Sequence, residues 1–194
     1  MAEDKRITKT KRGLRNTVIR LIESETFEKI TVKTICQEAH VSRLTFYSYY
    51  RDKYDLMDDI FNYYKGVILQ EHQILDEKTN REQDNVLSLC NLLKVIIDFF
   101  YDNEKLVFSV NYERNPYVKF SFHTFVRNCC DKIISEKVRQ ERLRHPLNLT
   151  SVFLCSGVSA YLGECIYGGY TREQTQASAH ELLYGLLHSD IFLK

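Results

Sequence analysis

Apolar residues recur at helical spacing along most of the chain, and this pattern predicts an all-α fold. Near the start, an amphipathic helix is predicted over residues 9–24 from a stripe made by Leu14, Val18, Leu21 and Ile22. The 194 residues include only two prolines and seven glycines, so few positions interrupt the helices. Comparable stripes predict further helices at residues 53–75, 86–101, 104–112, 117–144, 149–167 and 172–189.

Polar and turn-forming residues mark the ends of these predicted helices. Residues 76–85 are wholly polar and predict a loop between the helices on either side. Gly168 and Gly169 end one helix, and Thr171 then caps the last helix, with Gln174 three residues later as a capping box. Residues 1–8 are expected to be mobile.

Residues 31–53 predict two short helices joined by a tight turn. Thr31 is a suitable N-cap for the first helix, and Ser42 is a suitable N-cap for the second. The helical spacing breaks at His40, between these two helices. Two short helices joined by a turn of about four residues form the helix-turn-helix motif that binds DNA.

The charge distribution supports a DNA-binding function for the N-terminal part of the chain. Residues 1–53 hold 12 Lys and Arg against 7 Asp and Glu, whereas residues 54–194 hold 15 against 19. From Lys5 to Ile22 there are seven basic residues and no acidic residue. A basic segment on an acidic body is typical of a DNA-binding domain fused to another module. Residues 1–10 alone would fit a solvated basic tail equally well.

The same stretch resembles the signature of the TetR family of bacterial transcription regulators. The resemblance is carried by the run Val41-Ser42-x-x-Thr45-Phe46-Tyr47-x-Tyr49-Tyr50-x-x-Lys53-x-x-Leu56. It covers about the first sixty residues and implies a three-helix DNA-binding domain at residues 1–53 and a helical-bundle body at residues 54–194. Two positions depart from the family pattern. His40 replaces a common turn glycine, and Leu44 stands where glycine or proline is frequent.

The resemblance assigns DNA contacts to the outward-facing residues of the helix-turn-helix. Phosphate contacts are expected from Thr31, Ser42, Tyr47, Ser48, Tyr49 and Lys53. Base contacts are expected from Lys33 and Arg43, with further contacts from Leu44 or Thr45. Phe46 and Tyr50 share one helix face and are assigned to the core.

The last two long helices, at about residues 147–168 and 172–189, carry complementary side chains. The first contains small residues, Ser156, Gly157, Ser159, Ala160 and Gly163, and the second contains a leucine stripe. In the TetR family such helices form a four-helix dimer interface, so the resemblance implies a homodimer. The alternative is that both helices complete the core of a monomer.

Aromatic residues spread over the helices of the body suggest an apolar cavity for a small molecule. Ordinary core packing is the alternative for each of these residues taken singly, and only the set argues for a pocket. The ligand-pocket residues predicted on this basis are Tyr63, Tyr64, Phe99, Phe100, Phe108, Phe122, Phe125 and Tyr161.

Local motifs give no support for catalysis, a metal or a cofactor. The chain lacks Cys-x-x-Cys, His-Glu-x-x-His, Gly-x-Ser-x-Gly and a glycine-rich phosphate loop. The six histidines provide no metal-ligand spacing on one helix face. Cys129 and Cys130 are adjacent, so they diverge by about 100° around a helix, which makes a disulfide between them awkward. We expect buried free thiols, with Cys129 in the core.

These observations predict a homodimeric, cytosolic, non-enzymatic transcription regulator that binds a palindromic operator. The expected action is repression, controlled by a small molecule in the body. Two alternatives stay open: the body binds a protein partner, or the chain is an enzyme that kept a basic helical domain. No run of apolar residues is expected to be long enough to span a membrane, and no signal peptide is expected at the start of the chain.

Overall fold

Eight α-helices make up most of the computed structural model, which describes residues 5–104, 106–107, 115–137 and 144–189. No β-strand occurs within these described residues, so the all-α prediction is confirmed. In chain order the helices are α1 Lys5–Ser24, α2 Val32–Glu38, α3 Arg43–Tyr47, α4 Lys53–Thr79, α5 Asn85–Asp102, α6 Pro116–Lys137, α7 Leu147–Tyr167 and α8 Arg172–His188.

The helix ends agree with the sequence pattern except at a few places. α1 begins at Lys5, within the segment that was expected to be mobile. The predicted helix at residues 104–112 falls largely outside the described residues, as does the predicted end of the helix at residues 117–144. The predicted capping box of α8 is confirmed, since Thr171 and Gln174 exchange side-chain and backbone hydrogen bonds.

The chain divides into two units, and two helices contribute residues to both. The first unit comprises Met1–Tyr63 and Lys105–Phe122, and the second comprises Tyr64–Glu104 and His123–Lys194. The division therefore falls inside α4 and inside α6. The functional boundary predicted at residue 53 stays a prediction, because the units are defined by compactness rather than by function.

The first unit has an apolar core at the centre of its short helices. Side chains from α1, from the connection that follows it and from the helix-turn-helix are completely buried there. The core is formed by Leu14, Val18, Phe27, Ile30, Ile35, Phe46, Leu56 and Ile60. After the helix-turn-helix, Asp52 caps α4 by accepting hydrogen bonds from the backbone N–H groups of Tyr54 and Asp55 at 2.8 Å.

In the second unit, α4 extends four residues beyond its predicted end, because buried polar side chains support its last turn. Asp76 accepts hydrogen bonds from the side-chain amides of Asn80 and Asn91 at 3.1 and 2.9 Å, and from the Ser88 hydroxyl at 2.8 Å. All four residues are buried. The prediction of a loop from residue 76 was therefore wrong for residues 76–79, since polar residues were taken to be exposed.

The helix α7 leaves an apolar face uncovered within the subunit. Phe153 is 65% exposed and Leu149 is 58% exposed. With a mean hydropathy of 1.4 over its most apolar stretch, α7 is long and apolar enough to cross a membrane. The expectation that no run reaches that length was wrong, although core helices of soluble proteins meet the same criterion.

Candidate nucleic-acid interface

The two helices of the helix-turn-helix begin at the predicted N-caps. The Thr31 hydroxyl accepts a hydrogen bond from the Thr34 backbone N–H at 3.1 Å. The Ser42 hydroxyl accepts one from the Thr45 backbone N–H at 3.0 Å. Each bond satisfies an N–H group that the first helical turn cannot satisfy internally, which is why these short helices start where they do.

The turn between the two helices reverses at His40, which has a φ angle of +54°. This is the left-handed region that favours glycine, and histidine enters it more readily than most residues. The Val41 backbone N–H donates to the Cys36 carbonyl at 3.0 Å and closes the turn. His40 thus adopts the left-handed conformation for which glycine is common at this turn in the family that the stretch resembles.

The residues predicted to contact DNA all have accessible side chains. Three of them, Thr45, Tyr49 and Lys53, are half-buried, and none is buried. This accessibility is required of DNA contacts but does not test them, so the assignments stay predictions. The exposed members are Thr31, Lys33, Ser42, Arg43, Leu44, Tyr47 and Ser48.

Phe46 and Tyr50 occupy the core, as predicted. Phe46 is completely buried and Tyr50 is 4% exposed. The Tyr50 hydroxyl donates to the Asp59 carboxylate at 2.7 Å, and the Arg15 guanidinium lies 3.2 Å from the same carboxylate oxygen. These bonds join α1, α4 and the connection that follows α3, while Phe46 anchors the inner face of α3 in the core.

Lys53 makes contacts that the sequence pattern did not predict. Its ammonium donates to the backbone carbonyls of Phe27, Glu28 and Ile30 at 2.7, 2.8 and 2.9 Å. Burial lowers the pKa of Lys53, and the Glu28 carboxylate partly opposes this effect. An ammonium has three donors, and all three are used here. A phosphate contact by Lys53 stays a prediction, and it would require one of these bonds to be exchanged.

The start of α6 belongs to the same unit as the helix-turn-helix, and sequence reasoning missed its contacts. The Asn115 side-chain carbonyl accepts a hydrogen bond from the Phe27 backbone N–H at 2.6 Å. The Tyr117 ring stacks on Phe27 with centroids 5.8 Å apart, and its hydroxyl donates to Asp58 at 2.9 Å. No local pattern signals contacts between residues almost ninety positions apart.

The predicted pocket aromatics divide into separate groups. In the second unit, Phe99 lies at the centre of a cluster, with ring centroids 4.9 Å from Tyr64, 6.3 Å from Phe100 and 5.7 Å from Phe125. Tyr161 contacts the Ser178 hydroxyl. In the first unit, Tyr63 lies against the Arg15 guanidinium and Phe122 packs on Phe61. Phe108 lies outside the described residues.

Two cavities in the second unit are bordered by other side chains. We call the first the aliphatic cavity; it has a volume of about 40 Å³ between α5, α6, α7 and α8. The second is a polar groove of about 360 Å³ along the end of α4, whose buried groups His72, Asp76 and Asn80 are already hydrogen-bonded. The aliphatic cavity is lined by Leu89, Leu92, Leu93, Ile96, Cys130, Ile134, Leu154, Val158 and Leu183.

The six cysteines are free thiols, and five of them are buried. Cys129 is completely buried, as predicted. Burial raises the pKa of Cys129 to about 12 and that of Cys90 to about 11. A hydrogen bond to Cys155, together with burial, also raises the pKa of Cys130. Within the described part of the chain, no group of three possible metal ligands comes together.

Comparisons with known proteins agree with this architecture. Residues 14–60 match the family model for bacterial regulatory proteins of the tetR family. No curated protein shows significant sequence similarity to the chain. Among solved structures, a protein from Syntrophomonas wolfei described as a TetR-family transcriptional regulator superposes with a TM-score of 0.76 at 12% identity, covering 94% of this chain and 97% of that one.

Two further structures share the fold at low sequence identity. A TetR transcriptional regulator from Streptococcus agalactiae gives a TM-score of 0.60 at 23% identity, covering 96% of this chain and 97% of that one. The transcriptional regulator FadR from Bacillus subtilis, in complex with stearoyl-CoA, gives 0.59 at 13% identity, covering 89% and 97%. At these identities the similarity establishes a common fold.

Proposed function

We propose that this chain, whose N-terminal helix-turn-helix domain belongs to the TetR family of bacterial regulatory proteins, is a homodimeric repressor without enzymatic activity. It binds a palindromic operator through α2 and α3, and a small molecule bound in the body controls it. The single observation that carries this proposal is the outward face of the helix-turn-helix, where every predicted DNA contact is accessible.

The chemistry of that face suits the major groove of DNA. Arg43 lies in the first turn of α3, where a guanidinium can donate two hydrogen bonds to guanine. Tyr47 offers a hydroxyl to phosphate oxygens from the same short helix. Ser48, at the C-cap, donates its hydroxyl to the Thr45 carbonyl at 2.7 Å and would exchange that bond for one to phosphate. The seven basic residues between Lys5 and Ile22 add a sequence-independent attraction to the phosphate backbone.

Binding to the DNA upstream of the protein's own coding sequence tests the proposal, measured by fluorescence anisotropy over about 50 to 300 mM salt. The affinity should fall steeply with salt, and Arg43→Ala should weaken it by roughly 5- to 150-fold. Arg81→Ala, which removes one positive charge from an exposed position in the second unit, should change the affinity less than twofold. Equal, salt-independent binding by the three proteins would contradict the proposal.

The uncovered face of α7 supports a homodimer. This face combines exposed aromatic and aliphatic side chains with small ones at residues 156, 157 and 160. A Cβ atom added to Gly157 would meet no atom within 4 Å, so the subunit itself does not require glycine there. Glycine inside a helix costs about 0.5–1 kcal/mol relative to alanine. The close approach of a second subunit accounts for it.

The aliphatic cavity is our candidate for the effector site. All of its lining residues are apolar or, like Cys130, weakly polar, so an apolar ligand fits its chemistry. The FadR structure that shares this fold binds stearoyl-CoA, which is consistent with an acyl ligand. The cavity is far smaller than the roughly 300–1,000 Å³ of small-molecule sites, so side chains must move to admit a ligand.

A ligand in the second unit can affect DNA binding because α4 and α6 contain residues of both units. A ligand that prefers one arrangement of these helices shifts the population toward that arrangement. Repression would follow if the ligand-free arrangement binds the operator more tightly.

Thermal unfolding with a panel of acyl-CoA molecules tests the effector. A true ligand at about 100 times its Kd should raise the melting temperature by roughly 5–10 °C. Leu154→Phe fills the cavity and should abolish the shift, whereas Leu182→Phe, at an exposed position of α8, should preserve it. If the shift is equal in both variants, the ligand binds elsewhere. If no metabolite shifts the wild type, the alternative of a protein partner for the body gains support.

A further inference from the structure

We propose that Leu44 determines operator specificity by contacting the methyl group of a thymine in each half-site. This inference rests on the proposed function, because it requires α3 to lie in the major groove. It goes further, because it assigns one base to one side chain. Leu44 is the position where this chain departs from the glycine or proline that is frequent in the resembling family.

Leu44 contributes almost nothing to the fold of the subunit. Its side chain is 83% exposed, which is the highest exposure among the large apolar residues described. It lies on the outer side of α3, while the buried side is formed by Phe46. Since burial of apolar surface is what makes leucine stabilising, this leucine gains no stability from its position in the free subunit.

The neighbours of Leu44 favour DNA over a protein as the partner. Arg43, Tyr47 and Ser48 are exposed around it, and all three carry polar groups. A protein-binding patch would normally present several contiguous apolar side chains rather than a single one. A single apolar side chain among hydrogen-bonding groups instead suits a base edge, where apolar and polar atoms alternate.

The chemistry of the major groove limits what Leu44 can recognise. A leucine side chain neither donates nor accepts a hydrogen bond, so it cannot read the donor and acceptor pattern of a base. The methyl group of thymine is the apolar group that base pairs present in this groove. Leu44 therefore distinguishes thymine by the loss of water from two apolar surfaces.

Hydrogen bonds on either side of Leu44 hold its backbone in a helical turn. The Ser42 hydroxyl holds the Thr45 N–H at 3.0 Å and the Thr45 hydroxyl at 2.8 Å. The Ser48 backbone N–H donates to the Leu44 carbonyl at 3.0 Å. Leu44 thus lies on a capped helical turn, so little order must be gained when it meets a base.

Replacing thymine by uracil in the DNA removes only the methyl group and gives a direct test. Wild type and Leu44→Ala are each used to select binding sites from a random duplex library. Each selection is repeated with a library made with uracil throughout in place of thymine. Single thymines in the selected duplex are then replaced by uracil, in both half-sites, and the Kd values are measured.

For wild type we expect one thymine position per half-site that is sensitive to uracil. Replacing this thymine in one half-site should weaken binding by about fourfold, and replacing it in both half-sites should weaken binding by more than tenfold. The preference for thymine at this position should disappear from the uracil library. For Leu44→Ala, the same replacement should change Kd less than twofold. Ser48→Ala, which removes an expected phosphate contact on the same exposed face, should weaken binding to thymine and uracil duplexes by the same factor and so keep the wild-type sensitivity to uracil.

The possible failures are distinguishable from one another. If wild type enriches a defined sequence but binds thymine and uracil duplexes equally, the role of Leu44 is overturned while the proposed function stands. If Leu44→Ala keeps the full sensitivity to uracil, another side chain contacts the methyl group and the inference is likewise overturned. If wild type enriches no sequence from either library, the proposed function fails, and the inference fails with it.

Discussion

Lys53 was predicted to contact a DNA phosphate, but in the structure its ammonium binds backbone carbonyls of its own domain. Its three hydrogen bonds to the carbonyls of Phe27, Glu28 and Ile30 hold the connection between α1 and α2 against the start of α4. The Lys53 ammonium also lies 4.8 Å from the centre of the Phe27 ring. A lysine in the family signature can therefore stabilise the domain as well as approach DNA.

Lys53→Met keeps most of the side-chain length but removes all three donors. We expect it to lower the free energy of unfolding by about 1–2 kcal/mol, because the partly buried carbonyls lose their partner. Urea unfolding followed by circular dichroism measures this. Lys29→Met, at an exposed position in the same connection, serves as the control and should change stability by less than about 0.5 kcal/mol. Equal effects of both variants would refute a stabilising role of Lys53.

Cys129 gives a prediction about alkaline pH. Burial raises its pKa to about 12, so the folded chain keeps the thiol proton after the unfolded chain has lost it. The unfolded state then binds fewer protons, so stability must fall as pH rises above about 9. Cys129→Ala lacks this contribution. Although the variant starts less stable, the stability difference from wild type should narrow between pH 8 and 10 in urea titrations. A constant difference would show that burial of the thiol has no such effect.

At the scale of elements, the start of α6 and the connection after α1 form one packed region. Asn115 is only 4% exposed, and its side-chain carbonyl accepts a hydrogen bond from the Phe27 backbone N–H. Without this bond, the N–H group would be buried without a partner. Asn115 immediately precedes α6, a helix that contains residues of both units.

Asn115→Ala should loosen this region without unfolding the helix-turn-helix. The Phe27 N–H loses its acceptor, at a cost of about 1–3 kcal/mol. Hydrogen exchange measured by NMR should show faster exchange at the Phe27 amide. The Val41 amide, which donates to Cys36 within the helix-turn-helix, provides the internal control. If both amides accelerate equally, the effect is global rather than local.

At the scale of the whole molecule, the exposed face of α7 is the feature that the subunit does not explain. The alternation of large and small side chains along this face suits close helix packing across a two-fold axis. A two-fold dimer would present two copies of α3 to successive half-sites of a palindromic operator.

Phe153→Glu should convert the proposed dimer to monomers, because two carboxylates would be buried without partners across the two-fold axis. Sedimentation equilibrium measures the mass, and circular dichroism should report unchanged helix content, since Phe153 is 65% exposed in the subunit. Phe120→Glu is a matched control, because Phe120 is 70% exposed and lies in the first unit. A dimer that persists in Phe153→Glu would place the interface elsewhere.

Local features of this protein followed from the sequence by itself. The N-caps Thr31 and Ser42, the capping box at Thr171 and the buried stripe of α1 were all predicted and are present. These features depend on residues within about four positions of one another, where helical geometry fixes which groups meet. The helix-turn-helix was therefore readable, together with the face that it exposes.

Partners distant in the chain were decided only by the tertiary structure. The carbonyls that Lys53 contacts, the Phe27 N–H that donates to Asn115 and the Asn91 amide that donates to Asp76 lie 15 to 88 positions away from their partners. No periodicity encodes such pairs, because they arise from how helices pack rather than from how they wind. The lining of the aliphatic cavity also depends on how helices pack, and it contains none of the predicted pocket residues, whose role stays a prediction. In the second unit, Phe99 packs on Tyr64 and Phe125, and the aliphatic cavity is bordered by other side chains.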